Sequence, residues 1–379
     1  MVLRAAIILG AAEGLSNREL ARRLSGDLSR CAKKLTGEEF TVGALVDLLE
    51  SLCHRVLLEA SREHFSERTF KMRTEGEGME RLAVRGATVD DIEHVPCALC
   101  GLDDAATFIR GSGPRQIVRC RRDGLVYVSP RLRATRILKS FAAFVTDENQ
   151  ALFESQRGLT LRREARRIKA VKQCGSLLDV GCATGPFFAN FPRSSWQLFG
   201  VEPCQQAADY ARRRWQADVF HGVLKDACYP EKAFDIVTIL DCLFYFPDPL
   251  EELREAHRVL KPDGLLAIEI PGFTYKLLRE RGPLCWIIDR KWTRMKPESM
   301  HLYHFSPRTL RLLLQKAGFE VVKAFPEQAP LRSSKIANAI IHVHFGVSWV
   351  LWWLTGGRCS IAAKEFYICR KCQPVVKHP

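Results

Sequence analysis

Between residues 173 and 330 short apolar runs alternate with amphipathic stretches, the pattern of strands separated by helices. Ser176–Val180 is apolar at Leu177, Leu178 and Val180, which suits a strand buried on both faces. WQLFGVEP (196–203), ADVFHG (217–222), Phe234–Leu240, 265–270 and Phe319–Ala324 read as further strands, with helices predicted over Ala207–Gln216 and 250–259. Leu260–Gly264 reads as a turn, and AKEFYICR (363–370) as a last strand after an apolar helix at 336–354. Such alternation builds a doubly wound α/β sheet. The other segments divide by pattern. Residues 1–62 have apolar positions such as Leu20, Leu24, Leu45, Leu48 and Leu52 and read as helical, whereas 63–95 is charged and aperiodic, a linker. Residues 96–130 form a cysteine-bearing module, 131–172 a basic helical connector, 173–330 the core, and 331–379 the apolar helix with the last strand.

The first core strand runs into Gly181, Cys182, Ala183 and Gly185, small residues that let the backbone turn tightly toward a ligand. Pro186 then suits a first helical turn, with Phe187, Phe188 and Phe191 as the inner face of the predicted helix. A strand, a glycine turn and a helix start make a nucleotide site. The frame here is G-x-x-x-G, not G-x-G-x-x-G, and there is no lysine and hydroxyl of a phosphate-cradling loop. Asp179 would repel a pyrophosphate but can pair with an ammonium. Seventeen residues past Gly185, Glu202 ends the second strand and can accept from both ribose hydroxyls. A ribose joined to a cationic amino-acid tail fits both acids, which points to S-adenosylmethionine.

These residues resemble the class I S-adenosylmethionine-dependent methyltransferases. The likeness continues through residues 233–271, similar to the family's fourth strand, helix and fifth strand, and through 301–322. It implies a Rossmann-like seven-stranded sheet with an antiparallel last strand. It also implies a cofactor site at Asp179, Gly181, Cys182, Gly185, Glu202, Leu224 (where the adenine packs) and Asp241 at the end of the fourth strand. Ala183 stands at a common glycine, and Leu243-Phe244-Tyr245 replaces a frequent L-E-H. Methyl transfer needs a near-attack nucleophile and, for oxygen or nitrogen acceptors, loss of a proton. His301, His304 and Tyr245 are the candidates for that step. The N/D-P-P-Y of amino-methylating nucleic-acid enzymes does not follow the fourth strand, so a small-molecule, sugar or lipid-linked acceptor is expected rather than nucleic acid. The rival readings are a nicotinamide-dependent redox enzyme, which the glycine spacing disfavours, and a nucleic-acid-binding protein with an inactive core.

In the cysteine module, Cys97-x-x-Cys100 and Cys120-x-x-Asp123 form two knuckles that can clamp a tetrahedral zinc ion. The segment resembles a zinc ribbon preceding the core in one branch of the family, with Asp123 where the fourth cysteine belongs. The expected role is structural. The net charge of +14 concentrates between residues 110 and 172, where sixteen Lys or Arg face five Asp or Glu. That excess points to an anionic surface or partner, or to a solvated helix face. Fourteen cysteines without a secretory pattern suggest a reducing, cytoplasmic setting. The apolar run 336–354, with Trp349, Trp352 and Trp353 and cations at both ends, reads as an in-plane membrane helix, an active-site lid or a helix packed against the core rather than a span. Spanning would strand the last strand on the far side. Cys369 and Cys372 lie on that strand and read as incidental.

Overall fold

The cysteine module opens with strands β1 (Ile92–Glu93), β2 (Ala105–Arg110), β3 (Gln116–Cys120), β4 (Val126–Val128) and β5 (Arg131–Leu132), followed by helix α1 (Asp147–Lys169). The core continues as β6 (Gly175–Val180), β7 (Trp196–Glu202), α2 (Gln205–Trp215), β8 (Asp218–His221), β9 (Phe234–Leu240), α3 (Pro249–Val259) and β10 (Leu260–Pro271). Helix α4 (Phe273–Arg281), β11 (Tyr303–His304), α5 (Pro307–Lys316), β12 (Phe319–Glu327), α6 (Lys335–Leu354) and β13 (Lys364–Lys371) complete it. This is a computed structural model that describes residues 91–111, 113–137, 147–281, 295–297, 300–329 and 335–372. The expected helical segment 1–62, the linker up to residue 90 and part of the connector lie outside the described residues.

Seven strands pair in the order β12-β13-β10-β9-β6-β7-β8. β10, β9, β6, β7 and β8 run parallel, and β13 inserts antiparallel between β10 and β12, as the resemblance implied. The central strands are mostly apolar because helices and turns cover both faces; every residue of β9 is buried. Asp248 caps α3 by accepting from the Leu250 and Glu251 amides, with Pro249 in the first turn. Ser306 and Thr309 form a reciprocal capping box on α5.

Three expectations need correction. The glycine turn leads into a 3-10 helix, Pro186–Asn190, not an α-helix. Its phenylalanines still pack inward: Phe187 meets Phe191 at 5.0 Å between ring centroids, and Phe191 meets Trp196 at 5.1 Å. Leu260–Gly264 is an irregular start of β10, with a register shift between Leu260 and Leu265, rather than a free turn. The basic connector is not simply a solvated face, because three of its arginines turn inward. Arg157 reaches Glu269 and Asp241, and Arg163 and Arg167 reach the fully buried Glu327. Helix α1 is thus fastened to the sheet by buried ion pairs, and part of the local positive charge is neutralised inside the fold.

The module is not independent of the core. Its four-stranded sheet runs β11-β4-β3-β2, so a strand from well beyond β10 completes it. Val128 N–H donates to Leu302 O at 2.9 Å, and Leu302 N–H donates to Phe244 O at 2.9 Å. Arg131 adds hydrogen bonds to Pro247 O and the Tyr303 hydroxyl. The ribbon therefore buttresses the segment that carries His301 and His304.

Candidate functional site

The glycine turn sits at the carboxyl end of β6, where a parallel sheet leaves room for ligands. Gly181 has φ 73°, and a Cβ there would lie 2.9 Å from Cys242 Sγ; Gly185 has φ 76°, with Phe188 and Trp215 equally close. Only glycine satisfies both limits. Ala183 also takes a positive φ, 49°, so it occupies the common glycine's backbone region at some strain. Trp215 Nε1–H donates to Thr184 O at 2.8 Å and ties the turn to α2.

The two acids flank this turn. Glu202 Oε2 accepts from Ala183 N–H and its Oε1 from Cys204 N–H, both at 2.9 Å. That fixes the carboxylate while leaving lone pairs for further donors. Asp179 Oδ1 accepts from Thr238 Oγ1 at 2.6 Å. Burial pushes the Asp179 carboxyl up to about 7, against the Thr238 bond and Arg157, and burial raises Glu202 as well. Both carboxyls are poised to gain from a cation or from hydroxyl donors.

The remaining cofactor candidates divide. Cys182 is buried, and its Sγ lies where a side chain at Gly200 would project, so only its backbone belongs to the turn. Leu224 is buried just beyond β8. Asp241, with φ 61°, is held by Lys364 at 2.7 Å and Arg157 at 3.3 Å, both of which also reach Glu269. Its carboxylate is a structural node. Glu164, fully buried beside Glu269, is pushed well above the ordinary carboxylate range by burial and by Glu269.

Beyond β9 the chain turns at Leu243–Tyr245, fixed by Cys242 Sγ–H donating to Val180 O at 3.2 Å. Tyr245, His301 and His304 come together here. His301 Nε2 lies 3.3 Å from the Tyr245 hydroxyl, and its Nδ1 lies 2.8 Å from Lys276 Nζ. The His301 and His304 rings are 6.2 Å apart. Burial, then Lys276, hold both imidazoles well below the usual histidine range, so both are neutral at pH 7. Lys276 was missed from the sequence: it lies in TYKLLRER, where nothing distinguishes it from a surface lysine.

In the cysteine module the two knuckles are equivalent. Gly101 N–H donates to Cys97 O and Gly124 N–H to Cys120 O, and both glycines have positive φ. Cys97, Cys100, Cys120 and Asp123 each offer one ligand atom, all within 4.8 Å of one another. Cys369 is buried on β13, and Cys372, one residue past its end, is exposed.

A family model described as a methyltransferase domain matches residues 142–324. A demethylmenaquinone methyltransferase of Lysinibacillus sphaericus is 29% identical over 140 residues, 34% of this chain and 60% of that protein. A 27-O-demethylrifamycin SV methyltransferase of Amycolatopsis mediterranei is 32% identical over 130 residues, 32% of this chain and 47% of that protein. The chain thus matches less than two thirds of these relatives' length. Among solved structures, a SAM-dependent methyltransferase from Archaeoglobus fulgidus is similar at 22% identity and a TM-score of 0.39, covering 59% of this chain and 99% of that one.

Proposed function

With residues 142–324 matching a model of methyltransferase domains, we propose that this chain is a class I S-adenosylmethionine-dependent methyltransferase that transfers a methyl group from S-adenosylmethionine to a small-molecule acceptor by in-line displacement. The observation that carries the reading is the pair of buried acids on either side of the glycine turn. Asp179 would take the cofactor's ammonium, and Glu202, already aligned by two amides, would take the ribose hydroxyls. The turn at Leu243–Tyr245 brings Tyr245, His301 and Lys276 to the same end of the sheet. Glu202→Ala should weaken S-adenosylmethionine binding by about 1.5–3 kcal/mol, the worth of a hydrogen bond to a charged group. Calorimetric affinity equal to the unmodified chain would refute the assignment. The rival reading of a nucleic-acid binder with an inactive core is weakened by the inward pairing of Arg157, Arg163 and Arg167.

Two further parts of the reading concern metal and membrane. The donor set of three thiols and one carboxylate, gathered within 4.8 Å, fits zinc, which would hold the two knuckles together as a structural ion. Helix α6 buries Ser348 and Trp352 against the core and shows Val343, Trp349, Val350, Trp353 and Leu354 to solvent. Trp353 is 78% exposed. Exposed indoles on an otherwise apolar stripe, with Arg358 just beyond, suit the headgroup level of an anionic lipid surface, where a lipid-linked acceptor would be met. Among the described residues no helix is long and apolar enough to cross a membrane.

A further inference from the structure

The four donors of the cysteine module are not placed alike. Cys97 and Cys120 are each 1% exposed, whereas Cys100 and Asp123 are half-buried and line a cleft. The thiols are set by the knuckles: Cys97 Sγ accepts from Leu99 N–H at 3.4 Å, and Cys100 Sγ lies 3.6 Å from Cys120 Sγ. Two thiolates on one tetrahedral zinc, each at about 2.3 Å, stand roughly 3.8 Å apart, so this pair needs little movement to share an ion. Asp123 is held differently. Its Oδ1 accepts from Leu125 N–H at 2.8 Å, while Oδ2 turns toward the thiols, 3.2 Å from Cys97 Sγ. A carboxylate displaced from the metal would keep its amide bond and, standing at the cleft, meet water, so no unpaired charge is buried when it leaves.

The cleft has a volume of about 340 Å³, within the range of small-molecule sites. Leu99 and Leu312 give it apolar walls, and Gln315 and Lys316, in the last turn of α5, form its polar rim. Lys316 Nζ donates to Leu99 O and so ties the first knuckle to that helix. Phe319, three residues past Lys316, pairs with Lys371, and the adjacent Arg370 pairs with Leu265 near the start of β10. The cleft therefore lies by the amino ends of the parallel strands, at the opposite edge of the sheet from the glycine turn. A molecule seated there is out of reach of methyl transfer and acts as a ligand of the module.

Resting on the zinc reading of this donor set, we infer that Asp123 is an exchangeable ligand, and that the cleft beside it binds a small thiol with an apolar body whose sulfur takes the carboxylate's place on the metal. The donor chemistry makes the choice. Four lasting protein ligands mark a closed structural site, whereas three with one replaceable position mark sites that admit an outside molecule. Thiolate is a softer donor than carboxylate and the better match to zinc. An alcohol of the same shape brings only another hard oxygen, with nothing gained over the one it would displace. Leu99 and Leu312 supply the surface for the apolar body. In the exchange the thiol's proton leaves to solvent, its sulfur forms the new bond to the metal, and the Asp123 oxygen gives up its own; no electron changes hands. The carboxylate set free adds one negative charge to a cleft whose rim carries the Lys316 ammonium. Cys97, Cys100 and Cys120 stay bound throughout, so the two knuckles remain joined.

The test uses the full chain loaded with cobalt(II), whose bonds to sulfur absorb in the near ultraviolet, in oxygen-free buffer, with the metal content of the protein measured first. Added 2-phenylethanethiol should raise the sulfur-to-cobalt absorbance saturably and by about a third, one thiolate joining three. The metal should stay with the protein through gel filtration. 2-Phenylethanol should leave the spectrum unchanged. Asp123→Cys should start at the higher absorbance and not respond to thiol, and Asp123→Ala should hold its metal in the presence of the thiol as firmly as the unmodified chain. Leu312→Asp, which alters the cleft wall without touching a ligand, should weaken 2-phenylethanethiol about tenfold and spare 2-mercaptoethanol. An unchanged or unsaturable spectrum, metal stripped from the protein, a thiol response in Asp123→Cys, metal loss from Asp123→Ala, or equal affinities for the two thiols in the unmodified chain would overturn the inference. Each is read on a chain already shown to hold metal; a chain that takes up neither zinc nor cobalt would instead refute the zinc reading beneath it.

Discussion

With Asp179 pairing with the cofactor's ammonium as proposed, cofactor binding is coupled to protons, and the coupling can be worked out from the surroundings of that carboxyl. Burial raises its carboxyl to about 7, with Thr238 and Arg157 opposing and Glu202 adding to the rise. The unfolded carboxyl ionises near 3.9, so charging it in the free fold is harder by about 4 kcal/mol. The sign follows. Between about pH 4 and 7 the folded chain holds a proton that the unfolded chain has lost. This group's contribution to ligand-free stability therefore falls as pH rises through that window and is level above it. An ammonium placed on Asp179 needs the ionised form, so below pH 7 binding must expel a proton. Affinity for S-adenosylmethionine should then rise about tenfold per pH unit from 5 toward 7 and flatten above it. It should decline again above about 8, where an α-amino group loses its own proton. Calorimetry in two buffers of different ionisation heat should show close to one proton released per cofactor bound at pH 6. Asp179→Asn should bind more weakly with no pH slope over this range. A wild-type affinity constant between pH 5 and 7, with no proton released, would refute the pairing of Asp179 with a cation.

Metal analysis of protein purified without chelators should give near one zinc per chain, and Asp123→Cys should tighten its retention against a chelator; a metal-free wild type would dismiss the zinc. Because β11 completes the ribbon sheet, chelation should also speed amide exchange at Tyr303 and His304, and unchanged exchange in a chain shown to lose metal would separate ribbon from site. Arg157→Met should destabilise the fold by up to about 3–5 kcal/mol, since it leaves the carboxylates of Glu269 and Asp241 to Lys364 alone; a chemical denaturation midpoint equal to wild type would show that the pair contributes nothing. The chain should co-sediment with anionic vesicles and be released by high salt, and Trp349→Ser with Trp353→Ser should abolish it; binding that survives both changes would assign the contact to another surface.

The sheet was largely legible because each central strand is a mostly apolar run, as in FDIVTIL with only Asp235 and Thr238 polar, and because the glycine turn and both acids have local signatures. The antiparallel last strand came from the resemblance rather than from any pattern in residues 364–371. What stayed hidden was non-local. Tyr303–His304 pairs with β4 across about 175 residues of chain, and two residues carry no strand periodicity to announce it. The arginines of α1 look like a solvated face in the sequence, because the carboxylates that receive them, Glu269 and Glu327, lie on β10 and β12. The candidate histidines were found from their position after the fifth strand, but which of them is engaged depends on Lys276, a lysine in an ordinary amphipathic helix. The 3-10 helix after Gly185 also escaped the pattern, since Pro186 followed by two phenylalanines satisfies either helix at its first turn.

The central claim is that this chain is built around an S-adenosylmethionine site, and one parallel titration tests it. Calorimetric injection of S-adenosylmethionine, NADH and duplex DNA into the same preparation should give saturable one-to-one binding for S-adenosylmethionine alone, weakened in Glu202→Ala. Saturable binding of NADH or DNA with no heat from S-adenosylmethionine would contradict it.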